Sequence, residues 1–180
     1  ILDRSVVDRA ISGCAVVVHA AALHGKSWQE AGDEAAFRVN VDGTLNVLEA
    51  AVAAGARRVV FTSSIWATGH GPDTPYLPID EELPREPAEL YGLTKVLGER
   101  TCRYATARHG LSTVCLRAGY IRPAAKWEAG FGGYLFGAVD ARDVAQAHLL
   151  AAQAPDTLAH EVCIVTADSP LARIDHTTYR

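Results

Sequence analysis

Val16-Val-Val-His19 and Arg58-Val-Val-Phe-Thr-Ser63 decide the fold. Both are short β-branched runs with apolar residues at consecutive rather than alternate positions, which is how strands read when a sheet is covered on both faces. Between them, Asp33 to Ala54 carries Phe37, Val41, Leu45, Leu48 and Val52 at helical spacing, and Gly55 stands where a helix stops. Strand, helix and strand in that order make a βαβ unit with parallel strands. Further along, a proline-studded loop from Gly69 to Pro87 leads into a helix over Ala88 to Arg108, closed by His109-Gly110, and a strand over Thr113 to Arg117. Asp140 to Ala152 reads as another helix, with Val144, Ala147 and Leu150 on one face, and Glu161 to Thr166 as a last strand. The expected architecture is an α/β fold built on a parallel sheet covered by helices, with Val16–His19 and Arg58–Ser63 both central.

The chain has 180 residues, 49% of them hydrophobic and 21% charged, which fits one globular domain. Seventeen Lys and Arg stand against 21 Asp and Glu, a net charge of -4 without a basic stripe, so a nucleic-acid partner is not expected. No apolar stretch approaches the roughly 20 residues of a membrane helix, and no targeting peptide opens the sequence, so the cytoplasm is the expected location and a membrane partner is not. Cys14, Cys102, Cys115 and Cys163 are scattered and read as reduced, mostly buried thiols, and the dispersed histidines, His109, His148, His160 and His176 among them at expected helix ends and loops, argue against a metal site. The absence of methionine implies a sequence that is not a whole reading frame.

Chemistry concentrates at Tyr91-Gly-Leu-Thr-Lys95, at the start of the long helix. Four residues of separation put phenol and ammonium on one helical face, a turn apart. Lowering a tyrosine pKa by about 3 units requires roughly 4 kcal/mol, which one ammonium about 4 Å away supplies at an effective dielectric near 20. The pair is adequate for proton transfer if it lines a pocket, and the alternative is a surface tyrosine beside a surface lysine. Favouring the pocket, Thr62-Ser63-Ser64 brings hydroxyls to the carboxyl edge of the sheet, where ligands bind in such folds.

Taken in order, Val17-Val-His-Ala-Ala21, Asn40-Val-Asp-Gly-Thr44, Val60-Phe-Thr-Ser-Ser64, Tyr91-x-x-x-Lys95, Leu116-Arg117 with Arg122-Pro123, and Val139 to Ala145 with Asp143 resemble the extended short-chain dehydrogenase/reductases of the NAD-dependent epimerase/dehydratase type. The resemblance implies that Tyr91 is the general acid/base and that Lys95 both lowers its pKa and binds the nicotinamide ribose. Ser64 would hold the substrate oxygen, with Thr62 or Ser63 as neighbouring alternatives that also reach the cofactor. Ala20 and Ala21 would be small residues against the cofactor, Asn40 a brace for active-site backbone, and Gly119, Tyr120 and Ile121 contacts at the nicotinamide end. His24 and Trp66 would touch substrate. The implied cofactor is NAD or NADP, with NAD favoured, and no metal is implied.

The glycine-rich turn of the family's first strand and the residue that selects NAD or NADP are not in the sequence, so the resemblance implies one partial, doubly wound Rossmann-like domain over residues 1–180 whose first βαβ portion is absent. A short substrate-side segment at about 122–138, with Lys126, Trp127 and Glu128 before Gly130, Gly132 and Gly133, reads as a flap over a small ligand, and residues 167–180 as a tail. Thr68 stands where nucleotide-sugar enzymes commonly carry tyrosine. The resulting expectation is an NAD(P)-dependent oxidoreductase of a small sugar-like alcohol or ketone. The alternatives are a nucleotide-sugar epimerase or dehydratase and a non-catalytic NAD(P)-binding regulator. A homodimer formed through the helices at Asp33–Ala54 and Ala88–Arg108 is implied by the same resemblance.

Overall fold

The computed structural model describes residues 1–69, 75–76, 79–123 and 138–167. Its elements are α1 (Arg4–Ile11), β1 (Val16–His19), α2 (Gly25–Ala31), α3 (Asp33–Ala53), β2 (Arg58–Ser64), α4 (Leu90–His109), β3 (Ser112–Ala118), β4 (Tyr120–Arg122), β5 (Ala138–Asp140), α5 (Ala141–Gln153) and β6 (His160–Val165), with a 3-10 turn at Ile65–Thr68. Among the described residues β1, β2, β3 and β6 form one sheet in that order, and β4 pairs with β5 beside it. All pairings are parallel, with Val17 opposite Val59, Phe61 opposite Cys115 and Leu116 opposite Cys163.

Alternation along β2 sorts the layers. Val59 and Phe61 point into a core shared with Val47, Leu48, Ala51 and Cys102 from α3 and α4, while Val60 joins Val114, Leu116 and Ala151 under α5. Helices therefore cover both faces, as the doubly wound reading requires. The β-branched runs match the strands to within a residue, but β1 departs from expectation. It lies at the edge of the described sheet with Val18 51% exposed, so only β2 and β3 carry the buried-strand pattern the sequence suggested for both runs. Four further elements, α1, α2, β4 and β5, were not anticipated; β4 and β5, three residues each, are too short to show a period in sequence. The flap residues Lys126 to Gly133 and the tail from 168 fall outside the described residues.

Two features set the position of α4 and α5 on the sheet. Arg58 is fully buried and, among the described residues, has no carboxylate in ion-pair contact; its guanidinium donates to the carbonyls of Ala151 (3.1 Å) and Pro155 (2.8 Å) and to Ser112 Oγ (2.9 Å). It satisfies carbonyls that the end of α5 leaves open, where a cation is favoured. Gly92, in the first turn of α4, lets the helix close onto the turn after β2: a Cβ there would lie 2.4 Å from the Trp66 carbonyl oxygen and 2.9 Å from Pro87 Cβ. Gly92→Ala is therefore expected to destabilise the fold by about 1–3 kcal/mol, the usual cost of overpacking, measured as a lower urea midpoint at unchanged m-value.

Candidate active site

A cleft of about 420 Å³ opens at the carboxyl edge of the sheet, lined from β1's end by Ala20, Ala22 and His24, from β2 by Thr62, Ser63 and Ser64, and from α4 by Tyr91 and Lys95. Trp66, Ala118, Gly119, Tyr120, Ile121 and Arg122 complete it. Of the residues expected to touch cofactor or substrate, Ala21 alone lies off this lining, and it is exposed. Ala22, Ala118 and Arg122 were not singled out as site residues, because the two alanines fall just beyond the quoted motifs and Arg122 was quoted only as part of one.

Three successive hydroxyls reach the cleft, and their protons are committed differently. Ser63 donates to Glu99 Oε1 at 2.7 Å, on the α4 side. Thr62 Oγ1 lies 2.7 Å from Nε2 of His148, whose Nδ1 lies 2.7 Å from the Val144 carbonyl. A carbonyl only accepts, so Nδ1 carries the proton in the neutral ring, Nε2 accepts, and the threonine donates. Ser64 Oγ accepts from the Trp66 N–H at 3.3 Å and shares the cleft lining with Tyr91, whose pKa it lowers. The strand's alternation thus turns three equivalent sequence positions into three different chemical groups, with Ser64 beside the tyrosine. His148, expected near a helix end or loop, lies within α5.

The aromatic box around Tyr91 was not legible in sequence. The rings of His24 and Trp28 stand 6.1 Å from its ring, the tryptophan edge-on. Trp28 is held by an Nε1–H donated to Asp33 at 2.7 Å. Trp66 and Tyr120 meet edge-on at 6.2 Å on the cleft lining. Asn40 is buried, with its side chain 2.7 Å from the Leu23 N–H, 3.0 Å from the Leu23 carbonyl and 3.2 Å from Thr94 Oγ1. It ties α3 to the segment before α2 and to α4, the brace expected of it.

Lys95 is 4% exposed, and Nζ donates to the Thr62 carbonyl at 2.8 Å. It sits 5.0 Å from the centre of the Phe61 ring and 5.6 Å from that of Tyr91. Burial pushes its pKa down to about 8, partly opposed by Glu99 one turn along α4. Burial also pushes the Tyr91 phenol up to about 12, against a lowering by Ser64 and with a further rise from Glu89. The net shift of Tyr91 is thus upward, opposite to the lowering expected from its spacing to Lys95, because burial dominates. Behind them His19 is buried with Nε2 2.9 Å from Thr44 Oγ1, and burial, then the Lys95 charge, lower it to about 4. It is neutral at physiological pH.

The buried Glu99 accepts from Arg117 through Nε at 2.8 Å and Nη2 at 2.9 Å, and from Ser63, with Arg85 Nε 3.2 Å away. Burial alone would raise its pKa, but Arg117, Ser63 and Arg85 hold it below the usual value. Cys102 and Cys115 are buried free thiols, Cys163 is half-buried and Cys14 exposed, so burial is less general than expected. Among the described residues no cluster of metal ligands is present and no helix is long and apolar enough to cross a membrane.

The model of the NAD dependent epimerase/dehydratase family matches residues 1–121. The chain belongs to that family. It is 32% identical over 190 residues to cinnamoyl-CoA reductase 1 of Oryza sativa subsp. japonica, covering 92% of this chain and 54% of the relative. It is 35% identical over 134 residues to the L-arabinose 1-dehydrogenase (NAD(P)(+)) of Haloferax volcanii, covering 68% of this chain and 51% of that enzyme. Among solved structures, a short-chain dehydrogenase/reductase superfamily protein from Agrobacterium tumefaciens with bound NAD superposes with a TM-score of 0.79 at 28% identity, over 93% of this chain and 64% of the other. The chain thus spans about half the length of the curated relatives it matches.

Holding Lys95 charged in this site costs stability. A pKa of about 8 against an ordinary 10.5 corresponds to about 3 kcal/mol at neutral pH. A base with a depressed folded pKa binds fewer protons folded than unfolded between those values, so stability from this group rises with pH across about 8 to 10.5. Lys95→Met is expected to raise Tm at pH 7, and the advantage of the variant over the wild type should shrink towards pH 10.5, as followed by thermal unfolding across that range.

Proposed function

We propose that the protein is an NAD(P)-dependent oxidoreductase acting on a secondary alcohol or ketone of a small sugar-like substrate. The observation that carries this reading is the convergence of the Ser64 hydroxyl, the Tyr91 phenol and the Lys95 ammonium on one cleft at the carboxyl edge of the sheet. The cleft fits the nicotinamide-ribose end of the cofactor: its walls include the small residues Ala20, Ala22, Ala118 and Gly119, and one of the three Lys95 N–H groups is taken by the Thr62 carbonyl. Lys95 would hold the ribose, with Ala20, Thr62, Gly119, Tyr120 and Ile121 around the ring. Bound there, the nicotinamide supplies or accepts a hydride.

In the reductive direction Ser64 hydrogen-bonds the carbonyl oxygen and Tyr91, protonated well above neutral pH, gives that oxygen its proton. In the oxidative direction the phenolate takes the proton of the hydroxyl while the carbon loses its hydride. Lys95 stabilises the developing phenolate electrostatically and Asn40 keeps the wall carrying His24 in place. His24 and Trp66 border the space for substrate. A sugar-like substrate is supported by the sugar dehydrogenase among the relatives and by the size of the cleft.

We also propose a homodimer through the outer faces of α3 and α4, where Leu45, Leu93 and Tyr104 are exposed, and a cytoplasmic location, which the free thiols support. Light scattering at micromolar concentration is expected to give twice the protomer mass, and a monomer would refute the dimer.

Tyr91→Phe in the full-length protein is expected to keep NADH binding, read by fluorescence, while kcat falls by about 10²–10⁴. Turnover close to the wild type would refute the proton-transfer role. Steady-state assays with free aldoses, uronic acids and UDP-glucose, each with NAD and NADP, test the substrate class. A free sugar or sugar acid is expected to lead, and a nucleotide sugar preferred by more than about tenfold in kcat/KM would reverse the assignment.

A further inference from the structure

α5 presents Val144, Ala147 and Ala151 to the sheet, and His148 interrupts this otherwise apolar face. A leucine at 148 would cover β2 as well. What the imidazole adds is a hydrogen-bond acceptor: with Nδ1–H given to the Val144 carbonyl at 2.7 Å, Nε2 takes the proton of the Thr62 hydroxyl at 2.7 Å. The same threonine, through its carbonyl, holds Lys95 Nζ at 2.8 Å from the opposite side of the strand. One residue thus links α5, beneath the sheet, to the ammonium on α4, above it.

We propose that His148 is a positioning residue for Lys95, acting across the sheet through Thr62. It rests on the reading of Tyr91 and Lys95 given above. β2 ends at Ser64, two residues beyond Thr62, so the chain here is close to the point where ladder hydrogen bonds to β3 stop. A strand end with fewer ladder bonds is the part most prone to local opening. Fixing the Thr62 side chain to α5 holds that end against the core, and the carbonyl stays aimed at Nζ. The hydroxyl, its proton committed, offers the cleft only lone pairs, so Thr62 can accept from a ligand but not donate to it. That leaves the polarising role on the substrate oxygen to Ser64.

The test uses His148→Leu, His148→Gln, Thr62→Val and the Thr62→Val/His148→Leu double variant in the full-length protein. Crystal structures of the variants without cofactor give a readout independent of turnover. In His148→Leu the distance from Nζ to the Thr62 carbonyl is expected to open beyond hydrogen-bond reach, and in His148→Gln, whose amide oxygen replaces the acceptor, to stay near that of the wild type. Steady-state kinetics are expected to show kcat reduced at least about tenfold in His148→Leu, at a Tm within a few degrees of the wild type, with most of it recovered in His148→Gln. Because both single changes cut the same His148–Thr62 connection, the double variant should be no slower than the slower of the two single variants. Retention of the Nζ contact in His148→Leu, unchanged kcat, or additive losses in the double variant would overturn the proposal. Tyr91→Phe in the same assays separates the two levels: an active Tyr91→Phe refutes the functional reading itself, whereas an inactive one beside a fully active His148→Leu refutes this inference alone.

Discussion

A buried carboxylate, Glu99, fixes the helix on which the proposed chemistry depends. It is gripped by the Arg117 guanidinium in a two-point contact from β3 and by the Ser63 hydroxyl from β2, so α4 is pinned to both central strands at one point. Removing one member of such a buried pair costs about 3–5 kcal/mol, because the remaining charge has no water to return to. The pinning point is one helical turn from Lys95 and two from Tyr91, and their positions on the sheet edge follow from it. Gly92 then allows the first turn of α4 to close on the Trp66 carbonyl, which brings the Tyr91 phenol to Ser64.

Lys95 shows the energetic tension in the cleft. An ammonium almost without solvent is stabilised here by a carbonyl oxygen, two ring faces and a carboxylate one turn away. These contacts do not replace its hydration fully, and its pKa falls accordingly. Tyr91 is displaced in the opposite direction by the same burial. A fold optimised for stability alone would place an apolar side chain at 95, and the retained charge is what the proposed proton-transfer role of this cleft would require.

The two faces of the sheet serve different ends. The α3 and α4 side carries the ionised network and the neutral, buried His19, whereas the described residues on the α5 side include an apolar cluster together with Arg58, Ser112 and the His148–Thr62 pair. Polar groups on that second face are each used for attachment: Arg58 holds the end of α5, and His148 holds the end of β2.

The strands, the long helices and the Tyr91–Lys95 spacing were set by local sequence, because β-branched runs and helical periodicity act over a few residues. So was most of the cleft, since the carboxyl ends of parallel strands converge wherever such a sheet forms. Tertiary structure decided the rest. Val16–His19 has the composition of a central strand, but which strand lies at an edge depends on pairing with distant segments. Thr62, Ser63 and Ser64 are equivalent in sequence, and only the partners waiting on each face, His148, Glu99 and Tyr91, distinguish them. The direction of the Tyr91 shift could not be read from its spacing to Lys95, because burial, its largest cause, arises from residues brought together only by folding.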